Sequence, residues 1–301
     1  MIISIKNKNV TKLRFEKDDM EANRKLQLEI IAMNVRTAGL KMVENARSGH
    51  IGGAFSLSEI MSVLYFEKMR INPEKPDWED RDRFVLSKGH ATVALYPTLA
   101  LRGFFSSDLL KTFRKTEGAL SGHAEMTHVP GVDMSTGSLG QGLSAAVGMA
   151  LAGKQTGKDY YVYAIIGDGE MQEGQIWEAM MFAASSHLDR LIVVLDSNKV
   201  QLDGTVAQIM NMGDIEAKCN AFGFHTQSID GHDVKQIAAA VDAAKATPGK
   251  PHMIIANTVK GKGISFMEGK NEWHGKTPND EQFAQAFGEL ARGVEEMSTN
   301  G

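Results

Sequence analysis

The sequence predicts an α/β fold with a doubly wound, mainly parallel sheet that is flanked by helices. Residues 161–166 and 191–195 are apolar throughout, which is typical of strands buried on both faces of a parallel sheet. A helical pattern through Ile176, Met180 and Ala183 lies between these runs and predicts a strand–helix–strand unit. Strand and helix patterns also alternate later in the chain, which favours the doubly wound arrangement.

The individual elements are predicted from apolar periodicity and from the glycines and prolines that interrupt it. The predicted helices cover residues 24–48, 56–69, 143–154, a segment through Ile176 to about 187, and 233–246. The predicted strands cover residues 84–86, 161–166, 191–195, about 224–229, and 253–259. Residues 1–23 are expected to form a polar tail, and residues 24–301 a single domain, because no repeat or linker interrupts them.

Composition excludes several classes of protein. The 301 residues carry 33 Lys and Arg against 37 Asp and Glu, a net charge of −4, and 43% are hydrophobic, so the chain is globular rather than disordered. Without a basic excess we expect no nucleic-acid partner, and without a long apolar run we expect no membrane span. Because Cys219 is the sole cysteine and no secretory signal is evident, we expect a cytoplasmic protein.

Two polar residues follow neighbouring predicted strands. Asp168 ends one strand and Asn198 follows the next, so both should lie at the carboxyl edge of the sheet, where ligands bind in this fold class. Their oxygens suit Mg²⁺, and Gly167 and Gly169 allow backbone to approach a phosphate closely. The pair therefore predicts a magnesium–diphosphate site. The alternative is that Gly-Asp-Gly is only a turn and Asn198 only a loop residue.

These residues also carry a resemblance to a known family. The segment Gly167-Asp168-Gly169-Glu170, continuing to Asn198, resembles the signature of proteins that bind thiamine diphosphate. Further segments look like the N-terminal part of transketolases: Ser48-Gly49-His50, residues 80–87, Gly89-His90, Gly122-His123, residues 136–142, residues 229–233 and His274-Gly275. The departures from full-length transketolases, at Ile51, Lys88 and Ser138, look more like the split enzymes in which two chains share the work.

The resemblance implies a thiamine-diphosphate-binding fold and a set of cofactor contacts. Asp168, Asn198 and the carbonyl of Val200 would bind Mg²⁺, or another divalent cation such as Ca²⁺ or Mn²⁺. The implied cofactor-binding residues are His90, Gly137, Ser138, Leu139, Asp168, Gly169, Glu170 and Asn198. Gly137 and Leu139 would contact the cofactor rings, although Leu139 could instead be a packing anchor.

The resemblance also implies the catalytic side chains. Its positions in the substrate channel are occupied by His50, His90, His123 and His274, whose imidazoles can hydrogen-bond a sugar and assist proton transfer. Glu173 would join a carboxylate network between active sites, or alternatively act only as a first-turn acid of a helix. His232 is expected to be structural, as are the remaining histidines.

The resemblance further implies a partner. In this family a second domain supplies the glutamate and the aromatic residue that hold the pyrimidine ring, and the arginines that bind substrate phosphate. We expect a separate C-terminal transketolase subunit to supply them, in a homodimer of heterodimers. Only this assembly is expected to transfer a two-carbon ketol unit from a ketose, expected to be phosphorylated, to an aldose. The alternatives are a non-catalytic regulatory module, a 2-oxo acid dehydrogenase α-subunit, and a nucleotide-binding oxidoreductase. The sugars, sulfonated, branched or pentose, cannot be read from this sequence.

Overall fold

The computed structural model describes residues 17–300, and within them five strands form one parallel sheet. The strands are β1 (Arg83–Leu86), β2 (Val162–Gly167), β3 (Leu191–Ser197), β4 (His225–Asp230) and β5 (His252–Asn257). Their order across the sheet is β1-β2-β3-β5-β4, and every neighbouring pair is parallel. The predicted parallel α/β sheet is confirmed.

Helices cover both faces of this sheet. They are α1 (Lys17–Ala46), α2 (Gly52–Phe55), α3 (Ser58–Val63), α4 (Thr92–Arg102), α5 (Gln141–Gln155), α6 (Gly174–Ser185), α7 (Val206–Ile209), α8 (Ile215–Ala221), α9 (Val234–Ala246) and α10 (Asp280–Asn300). Side chains alternate along each strand, so that Ile192 and Val194 of β3 face one core, and Val193 and Leu195 face the other. Helices α1, α3, α4, α9 and α10 enclose the first core, and α5, α6 and α8 enclose the second.

The direction of each crossover explains which face its helix covers. Helix α6 links β2 to the adjacent β3, whereas α9 links β4 back to β5 in the opposite direction across the sheet. Crossovers of one hand that run in opposite directions must place their helices on opposite faces. The apolar residues of α6 and α9 accordingly belong to different cores. This is the doubly wound arrangement that the sequence predicts.

Some predicted boundaries differ from the observed ones. Helix α1 begins at Lys17, so residues 17–23 are helical rather than part of a tail, and residues 1–16 lie outside the described residues. The helix predicted at 56–69 is α3 followed by a wider π-helical turn at Leu64–Lys68, and a break at Ser56 and Leu57 separates it from α2. Helix α4, which contains Pro97, is an element that the sequence pattern did not predict.

None of the helices within residues 17–300 combines the length and apolarity that crossing a membrane would require.

Candidate active site

The carboxyl ends of the strands form one wall of a cleft of about 380 Å³. Twelve of the predicted site residues line it: His50, His90, His123, Gly137, Leu139, Asp168, Gly169, Glu170, Glu173, Asn198, Val200 and His274. Ser138 lies in an adjoining open groove that shares His123 and Gly137 with the cleft. Positions that are far apart in the sequence are thus brought together.

The predicted metal ligands lie where β2 and β3 end. Asp168 is buried, and its carboxylate accepts hydrogen bonds from the backbone amides of Gly169 at 2.8 Å and Lys199 at 2.5 Å. Asn198 Oδ1 accepts from the amide of Val200 at 3.0 Å. Burial, together with the nearby Asp196 carboxylate, raises the pKa of Asp168 to about 6. A bound cation would oppose this rise, because opposite charge favours the ionised form.

The donor chemistry of this set fits Mg²⁺. A carboxylate, an amide oxygen and a backbone carbonyl are hard oxygen ligands, and Mg²⁺ commonly completes its shell with phosphate oxygens and water. Within the described residues no group of three or more His, Cys, Asp or Glu could hold a metal ion. A cation here would therefore depend on Asp168 as its carboxylate ligand and on oxygens from Asn198, Val200 and a bound diphosphate.

Asp196 organises the floor of the cleft. It is fully buried at the end of β3, and its Oδ2 accepts hydrogen bonds from Ser56 Oγ at 2.7 Å, Lys88 Nζ at 2.5 Å and Asn198 Nδ2 at 2.9 Å. Its other oxygen accepts from Thr258 Oγ1. Burial alone would raise the pKa of Asp196, but Lys88 and these donors outweigh it and lower that pKa. Asp196 thereby fixes the orientation of the Asn198 amide, whose nitrogen donates to Asp196 while its oxygen accepts from the Val200 amide.

A second buried cation, Lys260, lies beside the metal ligands. It follows β5, is 1% exposed, and donates to the carbonyls of Val200 at 3.1 Å and Gln201 at 3.3 Å. It also lies 3.0 Å from His274 Nδ1, which must accept because the ammonium can only donate. Burial and the Lys88 charge lower the pKa of Lys260 to about 8. Lys88 is paired with Asp196, whereas Lys260 forms no ion pair among the described residues, so its charge favours an anionic ligand in the cleft.

The glycine loop before α5 is fixed by the buried Glu170 carboxylate. One oxygen accepts from Ser87 Oγ at 2.5 Å and from the Gly140 amide at 3.0 Å, and the other accepts from the Gly167 amide at 3.0 Å. Gly140 has a φ of 86°, a left-handed conformation that favours glycine. Leu139 is 39% exposed in this loop, so it does not act as a packing anchor within the described chain.

Four histidines form a cluster above the cleft. The ring of His50 lies 5.3 Å from that of His90, 6.2 Å from that of His123 and 5.5 Å from that of His274, measured between centroids. Burial lowers the pKa of all four, aided by neighbouring cations, to about 4 for His50 and about 3 for His274. The rings are therefore neutral near pH 7, and each can donate one hydrogen bond and accept another.

The remaining predicted residues occupy distinct positions. Glu173 immediately precedes α6 and is exposed at the edge of the cleft. His232 accepts from the Val259 amide at 2.9 Å and lies 3.0 Å from Glu59, which agrees with the structural role predicted for it. His225 and His252 pack together at the start of β4 and β5, at the opposite edge of the sheet from the cleft.

Sequence reasoning missed Lys88, Lys260 and Asp196 as members of the site. A signal for each was present, because Lys88 follows β1, Asp196 lies at the end of β3, and Lys260 follows β5. In a parallel sheet these positions share the carboxyl edge with Asp168. The rule that predicts the Asp168–Asn198 pair from two strands therefore extends to β1 and β5, whose lysines are suitable partners for an anionic ligand.

The chain is similar to known proteins along most of its length. The family model described as transketolase, thiamine diphosphate binding domain, matches residues 28–294. The chain is 46% identical over 271 residues to the 6-deoxy-6-sulfo-D-fructose transketolase subunit SqwG of a Clostridium species (strain MSTE9), which covers 90% of this chain and 98% of that subunit. It is 39% identical to a subunit of the apulose-4-phosphate transketolase of Phocaeicola vulgatus, covering 90% of this chain and 96% of that subunit.

A solved structure gives the same result for the fold. The transketolase from Leishmania mexicana superposes with a TM-score of 0.83 at 32% identity, covering 91% of this chain and 45% of that chain. The chain thus spans nearly the whole of the two subunits and less than half of the solved transketolase.

The fold and the cleft together define an α/β domain of the class that binds thiamine diphosphate. With a family model matching most of its length, the chain belongs to the transketolase family. It is accordingly a transferase, and its relatives include subunits that, like this chain, are short compared with single-chain transketolases.

Proposed function

We propose that this chain is the diphosphate- and metal-binding subunit of a two-chain transketolase, which transfers a two-carbon ketol unit from a ketose to an aldose. The observation that carries the proposal is one cleft that combines the Asp168–Asn198 pair with four neutral histidines and two buried lysines. The Asp168–Asn198 pair suits a metal diphosphate, and the histidines suit the hydroxyl and carbonyl oxygens of a sugar.

The residues of the cleft divide the work of holding the cofactor. Asp168, Asn198 and the Val200 carbonyl would hold Mg²⁺, or Ca²⁺ or Mn²⁺ in its place. Lys88 and Lys260 would balance diphosphate charge, and the exposed Leu139 and the glycine loop would contact the cofactor rings. When bound, thiamine diphosphate supplies the electron sink that allows a carbon–carbon bond of the ketose to break.

The histidines would bind the sugar and move protons. Because His50, His90, His123 and His274 are neutral, each can donate to a carbonyl oxygen or accept from a hydroxyl without a prior change of charge. Lys260, which donates to His274 Nδ1, leaves the proton of that ring on Nε2.

A second chain is proposed to complete the site. Large apolar side chains are exposed near the cleft and on α6, including Leu139, Leu202, Met181 and Phe182, and such exposure often marks a protein interface. The relatives of matching length are named as subunits. We propose that the partner carries the pyrimidine-binding domain, that two copies of each chain assemble in the cytoplasm, and that Glu173 joins a carboxylate network between sites.

The proposed donor is a ketose that carries an anionic group. The two relatives of matching length are named for 6-deoxy-6-sulfo-D-fructose and for apulose 4-phosphate, one a sulfonate and the other a phosphate. Within this chain the buried lysines face the metal ligands rather than a separate anion pocket, so the partner would recognise the sulfonate or phosphate of the sugar.

The proposal is tested by purifying the tagged chain with its partner from the native cell and assaying ketol transfer on a panel of sulfonated and phosphorylated ketoses. We expect transfer only when both chains, thiamine diphosphate and Mg²⁺ are present. Transfer by this chain alone would contradict the need for a partner. The absence of transfer from every ketose by the complete mixture would contradict the transketolase assignment.

Replacement of one metal ligand sharpens this test. Asp168→Ala removes the one carboxylate ligand of the proposed ion, so we expect Mg²⁺-dependent cofactor binding and ketol transfer to be lost. Circular dichroism should show an intact fold. Asp203→Ala, a nearby exposed aspartate, serves as the matched control and should retain both properties. Unchanged cofactor affinity in Asp168→Ala would remove this residue from the metal site.

A further inference from the structure

The tautomer of His50 is determined by a contact with an arginine. Arg114 Nη2 lies 3.2 Å from His50 Nδ1. A guanidinium can only donate, so Nδ1 must accept, and the single ring proton of neutral His50 must lie on Nε2. Nε2 has no hydrogen-bond partner among residues 17–300, and the ring borders the cleft. The contact therefore leaves one N–H group available to a ligand.

Arg114 is itself held in place by its surroundings. Its Nη1 donates to Ser48 Oγ at 2.9 Å, and its guanidinium lies 5.7 Å from the centre of the Phe113 ring. A Cβ atom at Gly122 would lie 2.6 Å from Arg114 Nε, so only glycine at that position admits the guanidinium in this arrangement. The backbone of Arg114 has a φ of 55°, a left-handed conformation that is unfavourable for a residue with a side chain. Such strain is more often retained where it serves a site.

Among residues 17–300, the titratable or charged groups that contact the His50 ring or contribute most to its pKa are basic, whereas the carboxylates of Asp168, Glu170 and Glu173 line the same cleft without contacting the ring. The basic groups are Arg114, which contacts Nδ1, the more distant Lys260, and the neighbouring rings of His90, His123 and His274. Burial is the main cause that lowers the pKa of His50, and the Arg114 charge is the next. Removal of Arg114 should therefore allow both tautomers of the His50 ring and should raise the pKa of His50.

We propose that Arg114 is a positioning residue, which fixes His50 as the Nε2–H tautomer so that the ring donates a hydrogen bond into the cleft. The inference rests on the proposed function in one respect, since it identifies the acceptor as a carbonyl or hydroxyl oxygen of the donor ketose. Ser48 and Gly122 act through Arg114 by holding its guanidinium against the ring.

The tautomer can be measured without any activity. Long-range ¹H–¹⁵N spectra of the histidine-labelled full chain, with His50→Gln used to assign the signals, should show His50 protonated on Nε2 and unprotonated on Nδ1 from neutral pH down to about pH 5. In Arg114→Met both tautomers should be populated, and the pKa of His50 should rise. Gly122→Ala, which keeps the arginine but displaces it, should produce the same two changes. Arg102→Met is the control, because it removes a partly buried arginine at the end of α4 that does not contact His50. It should leave the His50 signals unchanged.

The outcomes separate this inference from the proposed function. An Nδ1–H tautomer in the wild type, or a wild-type pattern in both Arg114→Met and Gly122→Ala, would overturn the positioning role. In the two-chain enzyme we expect Arg114→Met to lower kcat/KM for the donor ketose about tenfold, and the acid limb of its pH profile to move to higher pH. If the two-chain enzyme shows no ketol transfer while the spectra behave as expected, the proposed function fails and the assignment of the tautomer stands.

Discussion

Glu170 shows how much of the site depends on a single carboxylate. It joins three segments that meet at the cleft, because its oxygens accept from Ser87 after β1, from Gly140 at the start of α5 and from Gly167 at the end of β2. Burial raises its pKa, although these three donors and Lys88 counteract the rise. We therefore expect Glu170 to contribute to cofactor binding by holding the glycine loop in place.

We predict that Glu170→Gln weakens the binding of thiamine diphosphate about tenfold, because an amide can accept on one side only and leaves one buried N–H without a partner. Isothermal titration with the partner chain present measures the affinity. Glu117→Gln, on an exposed loop, is the control and should bind like the wild type. An affinity for Glu170→Gln equal to that of the control would show that the loop is held by other contacts.

For single residues, the sequence predicted the proposed metal ligands and the histidines, and it missed the residues that hold them in place. Asp168 and Asn198 follow long apolar runs, so their positions could be derived, and the histidines came from the family resemblance. Asp196, Lys88 and Arg114 act through contacts between segments that are far apart in the chain, such as Lys88 with Asp196. No local pattern encodes such a contact, although the positions of Lys88 after β1 and Asp196 at the end of β3 already indicate the carboxyl edge of the sheet.

Among the elements, α4 was missed because Pro97 interrupts its helical pattern. Proline cannot donate to the carbonyl four residues earlier, which belongs to Val93. That carbonyl faces α1, where a Cβ atom at Gly39 would lie only 2.5 Å from its oxygen. The backbone of α1 at Gly39 thus packs closely against the Val93 carbonyl, which Pro97 leaves without its helical hydrogen bond. This contact between α1 and α4 is visible only in the tertiary structure.

We predict that Gly39→Ala destabilises the chain by about 1–3 kcal/mol, because the added methyl group forces α1 away from α4. Urea unfolding measures the change in free energy. Gly148→Ala is the matched control, since it lies on an exposed face of α5 with nothing within 4 Å of the new Cβ atom, and it should be neutral or slightly stabilising. Equal effects of the two substitutions would contradict the packing argument.

A buried ion pair ties α3 to α1. Glu59 accepts two hydrogen bonds of 2.6 Å from Arg36, and His232 Nδ1 donates to it at 3.0 Å, because Nε2 of that ring accepts from Val259. Burial alone would raise the pKa of Glu59, but Arg36 and His232 outweigh it and bring it to about 2. Removal of the Glu59 carboxylate would leave the Arg36 charge buried without its partner.

We predict that Glu59→Gln lowers the free energy of unfolding by about 3–5 kcal/mol at neutral pH. A carboxylate with a lowered pKa stabilises the fold above its unfolded pKa of 4.5, and this stabilisation is lost as the pH falls towards 2. The difference between wild type and variant should therefore narrow over that range in unfolding measurements. Asp108→Asn, which removes an exposed ion pair with Lys111, should show no such difference. A constant gap across this range would indicate that lost packing, rather than charge, causes the effect.

For the whole molecule, the parallel sheet explains why the site lies where it does. Every strand ends at the same edge, so β1, β2, β3 and β5 each deliver polar residues to one cleft. The sequence predicted this architecture because buried parallel strands are nearly continuous apolar runs, and β2 and β3 are buried along their whole length. It could not predict which apolar side chains remain exposed on α6 and the 202–210 segment, the surface that we propose a partner chain covers.

The central claim is that this cleft binds thiamine diphosphate through a divalent cation held by Asp168 and Asn198. Its most direct measurement is a calorimetric titration of thiamine diphosphate into the chain, alone and with its copurified partner, with Mg²⁺ present and then removed by a chelator. The account predicts binding that requires Mg²⁺, is strongest with the partner, and is lost in Asp168→Ala. If Mg²⁺-saturated wild-type chain binds no thiamine diphosphate, either alone or with its partner, the claim is contradicted.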